Sequence, residues 1–171
     1  MTLVELMVAT GVGSVVLAAV MALSLFSARS FAALGNYVDL DIKSRTALDQ
    51  MSSDIRQADK LTAATTNSLT FQTTDPNTSN TVSLVYNYSP SAQTLTRTYN
   101  GQTTTNLIGC TFLQFSIFQR NPIGYKYEQY DAADASTCKL VQLTWVCQRS
   151  ILGRIANTES VQSAKVVMRK P

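Results

Sequence analysis

The chain has 171 residues, enough for one domain with a real core and too few for a multi-domain machine. Charged residues make up 15% of it, below the roughly 25% of an ordinary soluble domain, and Ser, Thr, Asn and Gln carry the polarity instead. A net charge of +3 excludes a strongly basic nucleic-acid-binding surface, and the absence of His excludes Ser-His-Asp, Cys-His and His-containing metal chemistry.

Residues 6–28 form a run of 23 without a charge, and Glu5 is the only charged side chain before Arg29. As a helix the run is about 34 Å long, enough for a hydrocarbon core of roughly 30 Å. A cleaved secretory signal peptide would carry Lys or Arg before such a run and a small-residue cleavage site after it. Here an acid precedes the run and a second helical pattern follows, so residues 1–28 read as a transmembrane or filament-core helix.

Residues 29–60 lack Pro and have one Gly, at 35. Leu48, Met51, Ile55 and Ala58 recur at spacings of three, four and three, the apolar face of an amphipathic helix packed on a head. Joined to the apolar run, this predicts one helix from about Thr2 to Asp59, nearly 90 Å long. No small soluble domain buries that length, so its N-terminal half projects into lipid or into neighbouring subunits.

After Lys60, Thr, Ser, Asn and Tyr take over, and residues 61–171 read as a β-rich head. Strands are predicted at 68–73, 81–88, 94–99, 107–118, 139–148 and 161–168, with turns at Asp75-Pro76-Asn77, Ser89-Pro90-Ser91 and Asn100-Gly101. Residues 121–137 read as a long irregular loop, either a surface loop packed by its own tyrosines or a binding loop. Glu128, Asp131 and Asp134 within it are a candidate calcium set, set against the plainer reading of solvated acids.

The first nine residues, Met1-Thr2-Leu3-Val4-Glu5-Leu6-Met7-Val8-Ala9, resemble the mature start of the type IV pilins and type II secretion pseudopilins, the class III signal peptide proteins. The apolar run, the uninterrupted amphipathic helix and the β-rich remainder extend the resemblance over the whole chain. It implies an α+β fold, a long N-terminal α-helix with an antiparallel β-sheet head. It also implies leader removal by a membrane-embedded prepilin peptidase and N-methylation at the first mature position. Met1 stands there, where Phe is commonest, either as the mature residue or as an initiator replacing it. Partners are then copies of the chain or homologous pilins in a helical filament, with an inner-membrane assembly platform. The expected locations are the inner membrane first, then an extracellular or periplasmic filament. More loosely, the segment at 48–58, Tyr86-Asn87-Tyr88 and Leu95-Thr96-Arg97 resemble the W-type minor pilins and J-type minor pseudopilins.

Glu5 draws attention on physical grounds as well. A lone carboxylate at the edge of an apolar helix costs several kcal/mol to bury unless a cation meets it. It lies where the helix dipole favours an anion, and in a staggered bundle it can meet the N-terminal amine of the next subunit. The resemblance implies this role in recruitment and register, with Thr2, Leu3 and Leu6 beside it in the assembly segment. The plainer alternative is a Glu solvated at the headgroups. Gly11 and Gly13 permit close approach of neighbouring helices and each lower local helicity by about 1 kcal/mol. Family filaments often melt this stretch near a Pro, and here position 22 is Ala.

Three Cys allow at most one internal disulfide. Cys138 and Cys147 lie about 30 Å apart if 139–148 is one strand, too far to bond. Antiparallel pairing of 107–118 with that strand brings Cys110 near Cys147. Cys110 with Cys138, or three reduced thiols, are the alternatives. No nucleophile-base pair, phosphate loop or metal cluster supports an enzyme, and no cofactor or metal is expected. The leading function is a polymerising structural subunit, the alternative a membrane-anchored extracytoplasmic binding module that does not polymerise.

Overall fold

The computed structural model describes residues 2–76, 78–120, 129–132, 134–151 and 154–169, without the side chains of 150–151 and 154–159. The fold is α+β and pilin-like in layout, one long N-terminal helix followed by an antiparallel β head.

Helix α1 spans Leu3–Gln57, 55 residues without a break. Thr2 caps it, and Arg56 sits in its last turn, where a cation complements the dipole. Its buried residues are Leu40, Ser44, Ala47, Met51 and Ile55, spaced four, three, four and four. The face is therefore centred on Ala47, while Leu48 is only partly buried beside it. Small Ser44 and Ala47, both nearly inaccessible, mark where α1 lies close on the head. Packing on the head begins at Leu40, so residues 29–38 extend beyond it.

The described residues of the head form two sheets. Strands β1 (Lys60–Ala64), β2 (Ser68–Thr74), β3 (Thr81–Ser89), β4 (Thr94–Tyr99) and β5 (Gln102–Ile108) form a five-stranded antiparallel meander in sequence order. Strands β6 (Cys110–Arg120), β7 (Gln129–Asp131), β8 (Leu140–Ile151) and β9 (Arg154–Val167) form a second sheet in the order β7-β6-β8-β9. Alternation sets which side chains face inward: Leu69 and Phe71 on β2, Leu84 and Tyr86 on β3, Leu143 and Trp145 on β8 are fully buried. With Met51 and Ile55 of α1 they make one continuous core.

The expected strand over 107–118 is two strands in different sheets. Gly109 separates them with φ +76°, a conformation that strongly favours glycine, and a Cβ there would lie 2.6 Å from the Gln148 carbonyl oxygen. The chain thus changes sheet at a residue no other side chain fits. Asn100-Gly101 does form a tight turn, both residues at positive φ, joining β4 to β5 with Tyr99 opposite Gln102. Several strands are longer than, or additional to, those the sequence predicts. β1 follows the helix directly, β5 starts at Gln102, β8 runs on to Ile151 and β9 starts at Arg154, while β7 and a short 3-10 turn at Ala135–Thr137 fall in the described part of 121–137; residues 121–128 and 133 of that expected loop lie outside the described residues.

Candidate assembly site

The N-terminal half of α1 is where the sequence places its assembly residues, and none of it is buried against the described residues of the head. Leu3 is 76% exposed and Leu6 55%, and the apolar side chains onward through Phe26 are exposed as well. By length and composition this helix is able to cross a membrane. Gly11 and Gly13 lie within the regular helix, and among the described residues nothing beyond their own neighbouring helical backbone comes within 4 Å of a Cβ built at either. Their missing side chains therefore serve no packing inside the subunit. Two hydroxyls in the run are satisfied by their own helix: Thr10 Oγ1 donates to the Leu6 carbonyl at 3.0 Å and Ser14 Oγ to the Gly11 carbonyl at 2.8 Å.

Glu5 has a partner within its own chain. It is the fourth member of Thr2-Leu3-Val4-Glu5, a capping box: the Thr2 backbone N–H donates to Glu5 Oε2 at 2.7 Å, and the Glu5 N–H donates to Thr2 Oγ1 at 3.3 Å. The threonine three places before a glutamate at the start of an apolar run is a signal readable in advance. The carboxylate is thus held at the helix start by its own chain, presenting its remaining lone pairs outward. Met1, the expected processing and methylation position, lies outside the described residues.

Within the head, the segments carrying the looser resemblance converge on one ionic cluster. Arg97 Nε donates to Asp54 Oδ2 at 2.7 Å and its Nη2 to Asp54 Oδ1 at 3.2 Å, a bidentate pair with side chains only 20% and 11% exposed. The Tyr86 hydroxyl donates to the same Asp54 Oδ2. Burial, with the Asp54 hydrogen bond second, pushes the Tyr86 phenol far above its usual range, and the bond to Asp54 holds Arg97 charged. Tyr86 and Arg97 are register partners on β3 and β4, so the cluster ties α1 to the five-stranded sheet. A second tie lies where the helix leaves the head: Asp39 Oδ2 meets Arg149 Nη1 of β8 at 2.6 Å and Lys43 Nζ at 3.2 Å. The Lys43 hydrogen bond leads in lowering the Asp39 carboxyl below its usual value.

Cys110 and Cys147 are register partners on β6 and β8 and are joined in a disulfide, while Cys138 is buried and free. Asp131 and Asp134 are exposed, Glu128 lies outside the described residues, and among the described residues no three His, Cys, Asp or Glu side chains converge as metal ligands. The geometry offers an exposed apolar surface on α1 and a head tied to that helix through Arg97 and Arg149. Comparison with protein-family models, with curated proteins and with solved structures finds no match.

Proposed function

We propose that this chain is a structural subunit, a pilin or pseudopilin, that polymerises through its N-terminal helix into a type IV pilus-like or type II secretion filament. The observation that carries this reading is an apolar helix continuous with the head's core helix yet fully exposed along residues 3–26. Such a surface must be covered, by lipid before assembly and by neighbouring helices afterwards. The subunit waits in the inner membrane, is processed by a prepilin peptidase, and is extracted into an extracellular or periplasmic filament of its own copies or homologous pilins. Its work is assembly rather than catalysis.

The test is assembly of the purified full-length chain as detergent is removed, read by electron microscopy. Filaments of uniform diameter support the reading. Monomers or small species held in every lipid and detergent tried favour a membrane-anchored binding module instead.

A further inference from the structure

The exposed helix carries a pattern that membrane insertion alone does not require. With residues 6–28 filling a hydrocarbon layer of roughly 30 Å, the part beyond Arg29 lies in water. There Phe31, Leu34 and Val38 are 72%, 61% and 47% exposed. Their spacing of three and four is the a/d period of paired helices. At 100° per residue, Val38 and Leu40 point about 160° apart. Leu40 faces the head, so the stripe faces away from it.

Carried toward the N-terminus, the same period falls on Ser27, Ser24, Val20 and Leu17, and then on Gly13, Thr10, Leu6 and Leu3. The residue types change with the medium. In water the seam is large and apolar, where burial drives association. In lipid no such force acts between helices, and pairing depends on close backbone approach, which Gly13, Thr10, Ser24 and Ser27 allow. The Thr10 hydroxyl already donates to the Leu6 carbonyl, so burying it strands no donor. Glu5 and Arg29, the only charged side chains before Asp39, fall at the c and f positions, off the seam. Where the seam ends, Asp39 and Asp41 are each paired along the helix, with Lys43 at 3.2 Å and Arg45 at 2.8 Å. No charge has to be stripped of water for two such faces to meet.

Residues 3–38 span about 53 Å, and a contact about 10 Å wide along them covers roughly 1,000 Å² over two copies, the lower bound for a specific interface. We propose that this seam pairs two copies of the chain as a parallel, unstaggered helix dimer in the membrane. The contact is isologous, and because each head sits on the opposite face of its helix, the two heads do not collide. It needs the helix in a bilayer but not the filament, whose contacts are axially staggered.

Full-length chains carrying Leu34→Cys or Val38→Cys on the seam, and Ala33→Cys or Asn36→Cys off it, are placed in phosphatidylethanolamine and phosphatidylglycerol vesicles and oxidised with copper phenanthroline. The unsubstituted chain, whose free Cys138 is buried, sets the background. Dimers linked through the seam cysteines should exceed those at 33 and 36 on the order of tenfold, since only seam positions bring Cβ atoms within disulfide reach. Equal yields at all four positions, or none above background, overturn the pair. Fibre yield is scored separately on the same variants. Fibres without seam cross-links sink the pair and leave the filament standing; seam cross-links without fibres do the reverse.

Discussion

Asp54 is the residue on which the helix and the five-stranded sheet agree. It sits nearly buried with a bidentate arginine and a phenol on its two oxygens. Removing Arg97 leaves an uncompensated carboxylate in that site, so Arg97→Leu should lower stability by about 3 to 5 kcal/mol. Tyr86→Phe removes one hydrogen bond to a charged group and should cost less, about 1.5 to 3 kcal/mol, both measured by denaturant unfolding of the full chain in detergent. The phenol also sets a pH dependence. Its folded pKa is raised above the ordinary 10.0, so its contribution is complete below pH 10 and is lost as the unfolded chain ionises above it. Tyr88, buried with its hydroxyl donating to the Cys110 carbonyl at 2.9 Å, shifts the same way. Melting temperature should fall above about pH 10, and less steeply in Tyr86→Phe; an identical alkaline profile in the variant would show that this phenol is not the source.

At the scale of elements, α1 is held to the head by its apolar face and the second sheet is stapled by a disulfide. Ile55→Ala truncates a side chain with no exposure and should cost about 2 to 5 kcal/mol, visible as a clear fall in the melting temperature of the head. Reduction of Cys110–Cys147, which closes a loop of 37 residues, should cost about 4 kcal/mol in the chain-entropy account and lower the denaturant midpoint accordingly. Much of this layout was legible beforehand. The helix announces itself by an unbroken apolar run followed by a 3.6-residue period, and β3 and β4 by alternation between turn residues. Lys60–Ala64 is not signalled as a strand by its sequence, because Lys-Leu-Thr-Ala-Ala neither alternates nor is set off from the helix by Gly or Pro. The break at Gly109 was hidden because β-formers run on both sides of it, and only the approach of the Gln148 carbonyl reveals the need for glycine. The Asp54 cluster was not readable as a site: it depends on the register of β3 against β4 and on the rotation of α1, neither of which the local sequence encodes. The capping box was readable from Thr2 and Glu5 alone.

The whole molecule divides along α1 into a region that is finished and one that is not. From Leu40 onward the apolar face is buried, and charged side chains such as Asp54, Arg97 and Arg149 are engaged in ion pairs, Arg149 with Asp39 at the boundary. Before it, nearly every large apolar side chain is exposed. Hydrophobic cover for that half is strong but poorly specific, because apolar helices slide along one another with little change in buried area. A carboxylate meeting a neighbour's N-terminal amine in low dielectric favours one axial offset, since any slip leaves a charge buried alone. The capping box separates charge from helix start: Glu5→Gln keeps an acceptor for the Thr2 N–H, while Glu5→Ala loses both. The most direct measurement is the sheared-fibre yield beside the membrane-retained pool, for the unsubstituted chain and both variants, in cells that carry the prepilin peptidase and assembly platform. Filament assembly through this helix predicts an unchanged membrane pool, with fibre yield down about tenfold or more in both variants, the factor that each ~1.4 kcal/mol gives. Abundant fibres from Glu5→Ala would contradict it.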